Sequence, residues 1–253
     1  MPPVRHRGTD ASTDDSTRMR DGFRDRGHEI TRLEVFVDAA FAFAVTLLVI
    51  SIDTIPDSIA GLIDALKGIP AFGVSLVMIA LFWSAHARWS RRYGLDDVAT
   101  TVLSILFVFL VLVYVYPLKM MFASFFGWIT GGWLPSNLAI EGYGDILLMF
   151  VIYGVAFATL SLCVLGLYVN AWMQRDALGL DTEERCRTVG EICIYSWFAV
   201  VALTSISTAL LMPDRPPNWL AGLPGLLYFL LSFTGVPETY GRRWARRRLS
   251  AAV

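Results

Sequence analysis

After about thirty polar residues, apolar side chains arrive in six blocks, at about 33–52, 69–90, 98–126, 146–173, 191–212 and 217–236. Each block is long enough for a helix to cross a bilayer's hydrocarbon core, which takes ~20 residues. None has the alternating, roughly ten-residue rhythm of a membrane barrel, and a helix satisfies its backbone hydrogen bonds internally. The pattern predicts an all-α integral membrane protein with six transmembrane helices. Pro117 predicts a bend in the third, because it removes a backbone donor. The run Pro213-Asp214-Arg215-Pro216-Pro217 predicts a tight hairpin between the last two.

The polar positions orient the blocks. Arginines precede the first span and follow the second, fourth and sixth, so that one side holds 18 of the 21 basic residues. The other side keeps only Lys67, Lys119 and Arg215. Basic loops stay cytoplasmic, so both termini are expected there, in a cell inner (plasma) membrane crossed several times. Residues 1–31 carry no apolar stretch, hence no secretory signal is expected, and they read as a polar, disordered cytoplasmic tail. Residues 32–237 form the transmembrane domain, and 238–253 a basic cytoplasmic tail. That tail, with Trp244, suits either a helix resting on an anionic leaflet or a solvated topology signal. On the far side, residues 53–68 suggest an amphipathic turn after Pro56, and Trp128, Trp133 and Tyr143 suit the headgroup belt.

Composition adds exclusions. The chain is 55% hydrophobic and 17% charged, against roughly 45–50% and 25% for soluble domains. A net charge of −1 supplies no positive field for nucleic acid, so no such partner is expected. Cys163, Cys186 and Cys193 are too few and too irregular for a disulfide framework or a zinc site, and no metal site is expected. His6, His28 and His86 are the only histidines, and neither His-Glu-x-x-His nor Gly-x-Ser-x-Gly occurs; an enzyme is not expected.

The first span holds the unusual chemistry. Asp38 lies about one and a half turns into an otherwise apolar helix, where an ionised group costs ~2.5–3.5 kcal/mol on insertion scales. Arg32 is six residues away, outside the i,i+3 and i,i+4 spacings, so Asp38 needs a donor from another helix. His86 and Arg88, near the cytoplasmic end of the second span, are the expected partners. Asp38 then acts either as a pin between helices or in ion coordination. Phe43, Thr46, Leu47 and Ile50 share one face at helical spacing, which is a packing stripe or the wall of a path.

These residues resemble a known signature. Arg32, Phe36 and Asp38 match the Arg-x-x-x-Phe-Ser-Asp opening of the endosomal and lysosomal potassium channel family (the transmembrane protein 175 type), and Phe82-Trp83-Ser84-Ala85-His86 resembles its second-helix Phe-Trp-x-x-His element. The similarity covers roughly 30–236. Bacterial members carry one six-helix repeat, as here. The resemblance implies a homotetramer whose first helices line a central pore without a carbonyl-lined filter. It places the apolar constriction at Phe43, with Thr46 a turn onward and Ile50 beyond. It gives Arg32, Phe36, Asp38, Trp83 and His86 the role of holding the pore helix. No cofactor is implied; potassium is the permeant ion, and the partners are the bilayer, monovalent cations and other copies of the chain.

Two departures stand out. Val37 replaces the signature serine, and Phe43 replaces the usual Ile or Leu, so four phenyl rings would make a tighter plug. The expectation is a potassium-leaning cation channel with a hydrophobic gate. Its rivals are a closed or non-conducting homologue of the same fold and, further off, a secondary transporter, which would favour two related halves not evident in residues 33–236.

Overall fold

The computed structural model describes residues 22–27, 29–50, 57–136, 138, 140–213 and 217–251. The first 21 residues, Pro56 and Asp214-Arg215-Pro216, where the tight hairpin is expected, lie outside them. Every element among the described residues is helical: α1 (Arg32–Ile50), α2 (Ile59–Leu66), α3 (Ile69–Tyr93), α4 (Val98–Ile129), α5 (Tyr143–Met173) and α6 (Thr182–Leu210). There follow two single turns, α7 (Asn218–Ala221) and α8 (Leu223–Leu226), a 3-10 stretch (Leu227–Phe233) and α9 (Gly235–Ser250).

Among the described residues, four helical stretches are long and apolar enough to cross a membrane: Ile59–Tyr93, Val98–Ile129, Tyr143–Met173 and Thr182–Leu210. The sixth predicted block is not one regular helix. Gly222, Pro224 and Gly225 interrupt it, and the chain tightens into 3-10 geometry before α9 resumes. α4 runs on through Pro117 as one element of 32 residues.

Local chemistry sets the ends. The Thr31 hydroxyl accepts from Glu34 N (3.2 Å) while the Glu34 carboxylate accepts from Thr31 N (2.9 Å), a reciprocal cap at the start of α1. Asp181 and Glu184 repeat the device at α6. Gly94 ends α3 in the left-handed region at φ +56°, its N–H donating to Ser90 O; a β-carbon there would also lie 2.7 Å from Arg26 O.

α1 packs on α3 and α4, α4 on α5, and α5 along most of α6, which carries α9 on its other side. The core between them is aromatic: Trp89, Tyr93, Phe107 and Tyr168 are each 0–1% exposed. Tyr168 meets Tyr93 edge-on at 6.0 Å and stacks on Tyr195 at 5.5 Å.

The segment ahead of α1, expected to be disordered, is docked where it is described. Phe23 is fully buried, edge-on to Tyr93 and under the Arg92 guanidinium at 4.5 Å. Backbone N–H groups of Arg26 and Gly27 donate to Arg91 O. The Arg26 guanidinium grips both oxygens of the buried Glu184 at 2.9 and 2.7 Å, and also donates to Leu178 O and Arg92 O. Composition alone gave this segment too little apolar surface to order it; a carboxylate about 160 positions downstream supplies what was missing. The basic C-terminal stretch is likewise ordered, as α9, with Arg242 and Arg246 donating to Glu183 at 2.8 Å each.

Candidate functional site

α1 has two unlike faces. Val37, Phe41, Ala44 and Leu48 recur at helical spacing and are 0–4% exposed, packed against α3 and α4. The opposite side carries Arg32, Phe36, Phe43 and Thr46, all exposed, with Phe43 at 55%. Leu47 lies to one flank of that stripe, half-buried against the core. Ile50 ends the helix, and its side chain falls outside the described residues.

Asp38 sits between the two faces. Its donor is Trp83 on α3, whose Nε1–H reaches Asp38 Oδ1 at 2.7 Å. The two open onto a groove of about 340 Å³ between α1 and α3, lined also by Phe41, Ala42, Val45, Ile79 and Ala80. The expected partners, His86 and Arg88, go elsewhere. His86 is 3% exposed, shares a 3.0 Å hydrogen bond with Ser104 of α4, and stacks on Phe107 at 5.8 Å. Arg88 donates to Ser84 on its own helix at 2.6 Å. Trp83 and His86 are three positions apart, some 60° around the helix, so one turns to α1 and the other to α4.

Val37, which takes the place of the signature serine, is 1% exposed in the core, where a methyl pair packs without needing a hydrogen-bond partner. Glu34 was passed over at the sequence level. Besides capping α1 it accepts a short hydrogen bond from the Ser90 hydroxyl, which ties the start of α1 to α3. The Thr31-x-x-Glu34 spacing was the available signal. At the other end of α1, Lys119 of α4 reaches Leu48 O at 3.5 Å, near the carbonyl-rich helix terminus where a cation is favourable.

The Thr46 hydroxyl donates to Ala42 O at 3.0 Å. Its proton is used within the helix, and the oxygen keeps both lone pairs as acceptors on the exposed face. The described residues hold no group of three or more His, Cys, Asp or Glu able to bind a metal ion.

Three comparisons bear on this arrangement. Residues 32–117 match the family model "Endosomal/lysosomal potassium channel TMEM175". A protein of Marivirga tractuosa named "Potassium channel" is 32% identical over 230 residues, spanning 88% of this chain and 91% of that protein. A solved structure of a threonine-to-alanine variant of the potassium channel MtTMEM175, in complex with a nanobody–MBP fusion protein, superposes with a TM-score of 0.77 at 29% identity, over 90% of this chain and 99% of that one.

Proposed function

The chain belongs to the TMEM175 family of endosomal/lysosomal potassium channels, and from that premise we propose that it is a potassium-leaning cation channel built as a homotetramer, with α1 of each subunit lining the path. As a member of a channel family it is a multi-pass membrane protein and not an enzyme.

The observation that carries the pore reading is the uncovered side of α1: Val37, Phe41, Ala44 and Leu48 anchor it to its own subunit, and Phe43 and Thr46 face away. Four such faces about an axis place a phenyl ring layer at Phe43 and a hydroxyl layer at Thr46, with Ile50 a turn beyond. An apolar constriction of that kind gates by dewetting. The Thr46 lone pairs offer a partly dehydrated cation its first polar contact past the ring. Discrimination stays modest, since no multi-site carbonyl filter replaces the full hydration shell. Potassium is the permeant ion and no cofactor takes part; nucleic acid is not a partner.

The membrane arrangement belongs to the same proposal. The six spans are α1, α3, α4, α5, α6 and the segment leading into α9, within a channel domain of 32–237. Both terminal segments lie in the cytoplasm, and the basic-residue distribution supports the plasma (inner) membrane as the location. Leu47 belongs to the flank of the constriction rather than its centre. The bulk of Phe43 favours one further reading, a subunit ring that stays shut until the phenyl layer moves.

The test is potassium flux into liposomes. Wild type should exceed empty vesicles, and Phe43→Ile and Phe43→Ala should conduct several-fold more. Silence in all three would defeat the channel reading, whereas a silent wild type with a conducting Phe43→Ala would establish the shut ring.

A further inference from the structure

Asp38 and Trp83 form one end of the groove between α1 and α3, and the rest of its lining is apolar. Phe41 and Ile79, 4–5% exposed, make the floor, and the exposed methyls of Ala42 and Ala80 leave the space above it open. From Asp38 to Val45 the helix rises about 10 Å. The groove's volume of about 340 Å³ falls within the ~300–1,000 Å³ of small-ligand sites. Asp38 lies five positions before Phe43, some 140° around the helix, so the groove opens beside the phenyl stripe and not onto it. Its charge is one-sided. Among the described residues Trp83 is the sole hydrogen-bond donor to Asp38, and it is neutral. Arg88 is turned to Ser84 and His86 to Ser104, while Glu34, one turn before Asp38, adds a second carboxylate on that side of α1.

The geometry points to a binding site for a small amphiphilic amine, its ammonium on the Asp38 carboxylate and its alkyl tail over Phe41 and Ile79. An ionisable side chain within a span calls for a partner, and an indole N–H leaves its charge in place. An ammonium brings the opposite charge and three donors, for which the Asp38 oxygen not engaged by Trp83 is the acceptor. An acyl chain alone would cover the floor and leave the carboxylate unmet. A phospholipid would set its phosphate beside Asp38 and Glu34, where like charges repel. A bare metal ion would gain nothing from the apolar floor, and no group of three or more His, Cys, Asp or Glu among the described residues could hold one. The site requires that α1 and α3 span the membrane and does not depend on where ions pass.

The experiment is equilibrium dialysis of radiolabelled octylamine, protonated at neutral pH, against the full-length protein in detergent, with micelles alone subtracted. Saturable uptake approaching one amine per subunit is expected. Asp38→Asn keeps an acceptor for Trp83 and removes the charge, and should weaken uptake about tenfold, as a lost charge-assisted hydrogen bond does. An A42L/A80L variant keeps the carboxylate but fills the groove, and should abolish saturable uptake. Unlabelled octylamine should displace the label. Octanol, octanoate and ammonium chloride at the same concentration should not, since they lack the charge, its sign and the tail respectively. Equal uptake by Asp38→Asn, unchanged uptake by A42L/A80L, or competition by octanol equal to that by octylamine would each overturn the assignment. Absence of saturable uptake by wild type would also overturn it and leave the groove to a second copy of the chain. Displacement by phosphatidylethanolamine as effective as by octylamine would give it to a lipid instead. If a variant fails to fold, the competition arms on wild type still decide. Potassium flux is read separately and does not turn on this outcome.

Discussion

The indole N–H of Trp83 donates to Asp38 Oδ1 across 2.7 Å, joining α1 to α3 beside an open groove. A hydrogen bond to a charged acceptor is worth roughly 1.5–3 kcal/mol, and a carboxylate left without its donor beside this groove loses that support. Trp83→Phe keeps the ring and removes the donor. It is expected to lower the unfolding free energy by about 1–3 kcal/mol, and the loss should shrink when Asp38→Asn is present. A double-mutant cycle on detergent-solubilised protein measures the coupling; additive effects would mean that the contact carries no energy.

Thr46 separates conduction from stability. Its hydroxyl donates to Ala42 O of its own helix and lies exposed in the single subunit. Thr46→Val preserves the shape, so stability should stay within about 0.5 kcal/mol of wild type. Potassium flux should nevertheless fall several-fold as the first polar contact beyond Phe43 disappears. Unchanged flux would remove Thr46 from the path.

Glu184 tests the docked segment ahead of α1. It is fully buried and holds Arg26 through two hydrogen bonds while accepting from Arg24 N. Removing one member of a buried pair costs about 3–5 kcal/mol, because the other charge is stranded. Glu184→Gln should therefore destabilise the protein by that order and expose residues 22–27 to trypsin at Arg24 and Arg26. Limited proteolysis with unchanged cleavage at these arginines would contradict the clamp.

Asp97 gives a pH signature. Burial opposes its ionisation, but hydrogen bonds from the Thr100 hydroxyl, the Asn170 amide and nearby backbone N–H groups outweigh that and hold its carboxyl below the usual range. A folded-state value below the unfolded one stabilises at pH above the unfolded value, and the gain is lost as pH falls through the folded one. Asp97→Asn keeps a capping side chain and removes the charge. The variant should be less stable than wild type at neutral pH, with the gap closing below about pH 4. Unfolding midpoints across pH 3–7 read this directly, and a constant gap would exclude the charge as its source.

Hydropathy made α3, α4, α5 and the apolar part of α6 legible, because long runs without Gly or Pro clusters propagate as helices whatever their neighbours. The 217–236 block escaped that rule, since Pro224 and its flanking glycines break a helix that is apolar enough to have been one. The stripe on α1 followed from spacing, but the rotation of α3 against it did not. Periodicity shows which residues share a face and not which helix that face meets, so Trp83 took the place assigned to His86 and Arg88. Docking of Phe23 and Arg26 was invisible for a related reason: polar composition describes a segment alone, while Glu184 and Tyr93 reach it only after folding.

The anchorage of Gly27 on the Arg91 carbonyl leaves a short leash before the helix that begins at Arg32. Five Cα steps span at most about 18 Å when fully stretched, and less along any folded route. A long piston stroke along the membrane normal would pull Arg26 from its carboxylate before it went far. Any rearrangement of that helix that keeps the knot tied must therefore be a twist or a lean, motions that turn a phenyl ring aside without paying out chain.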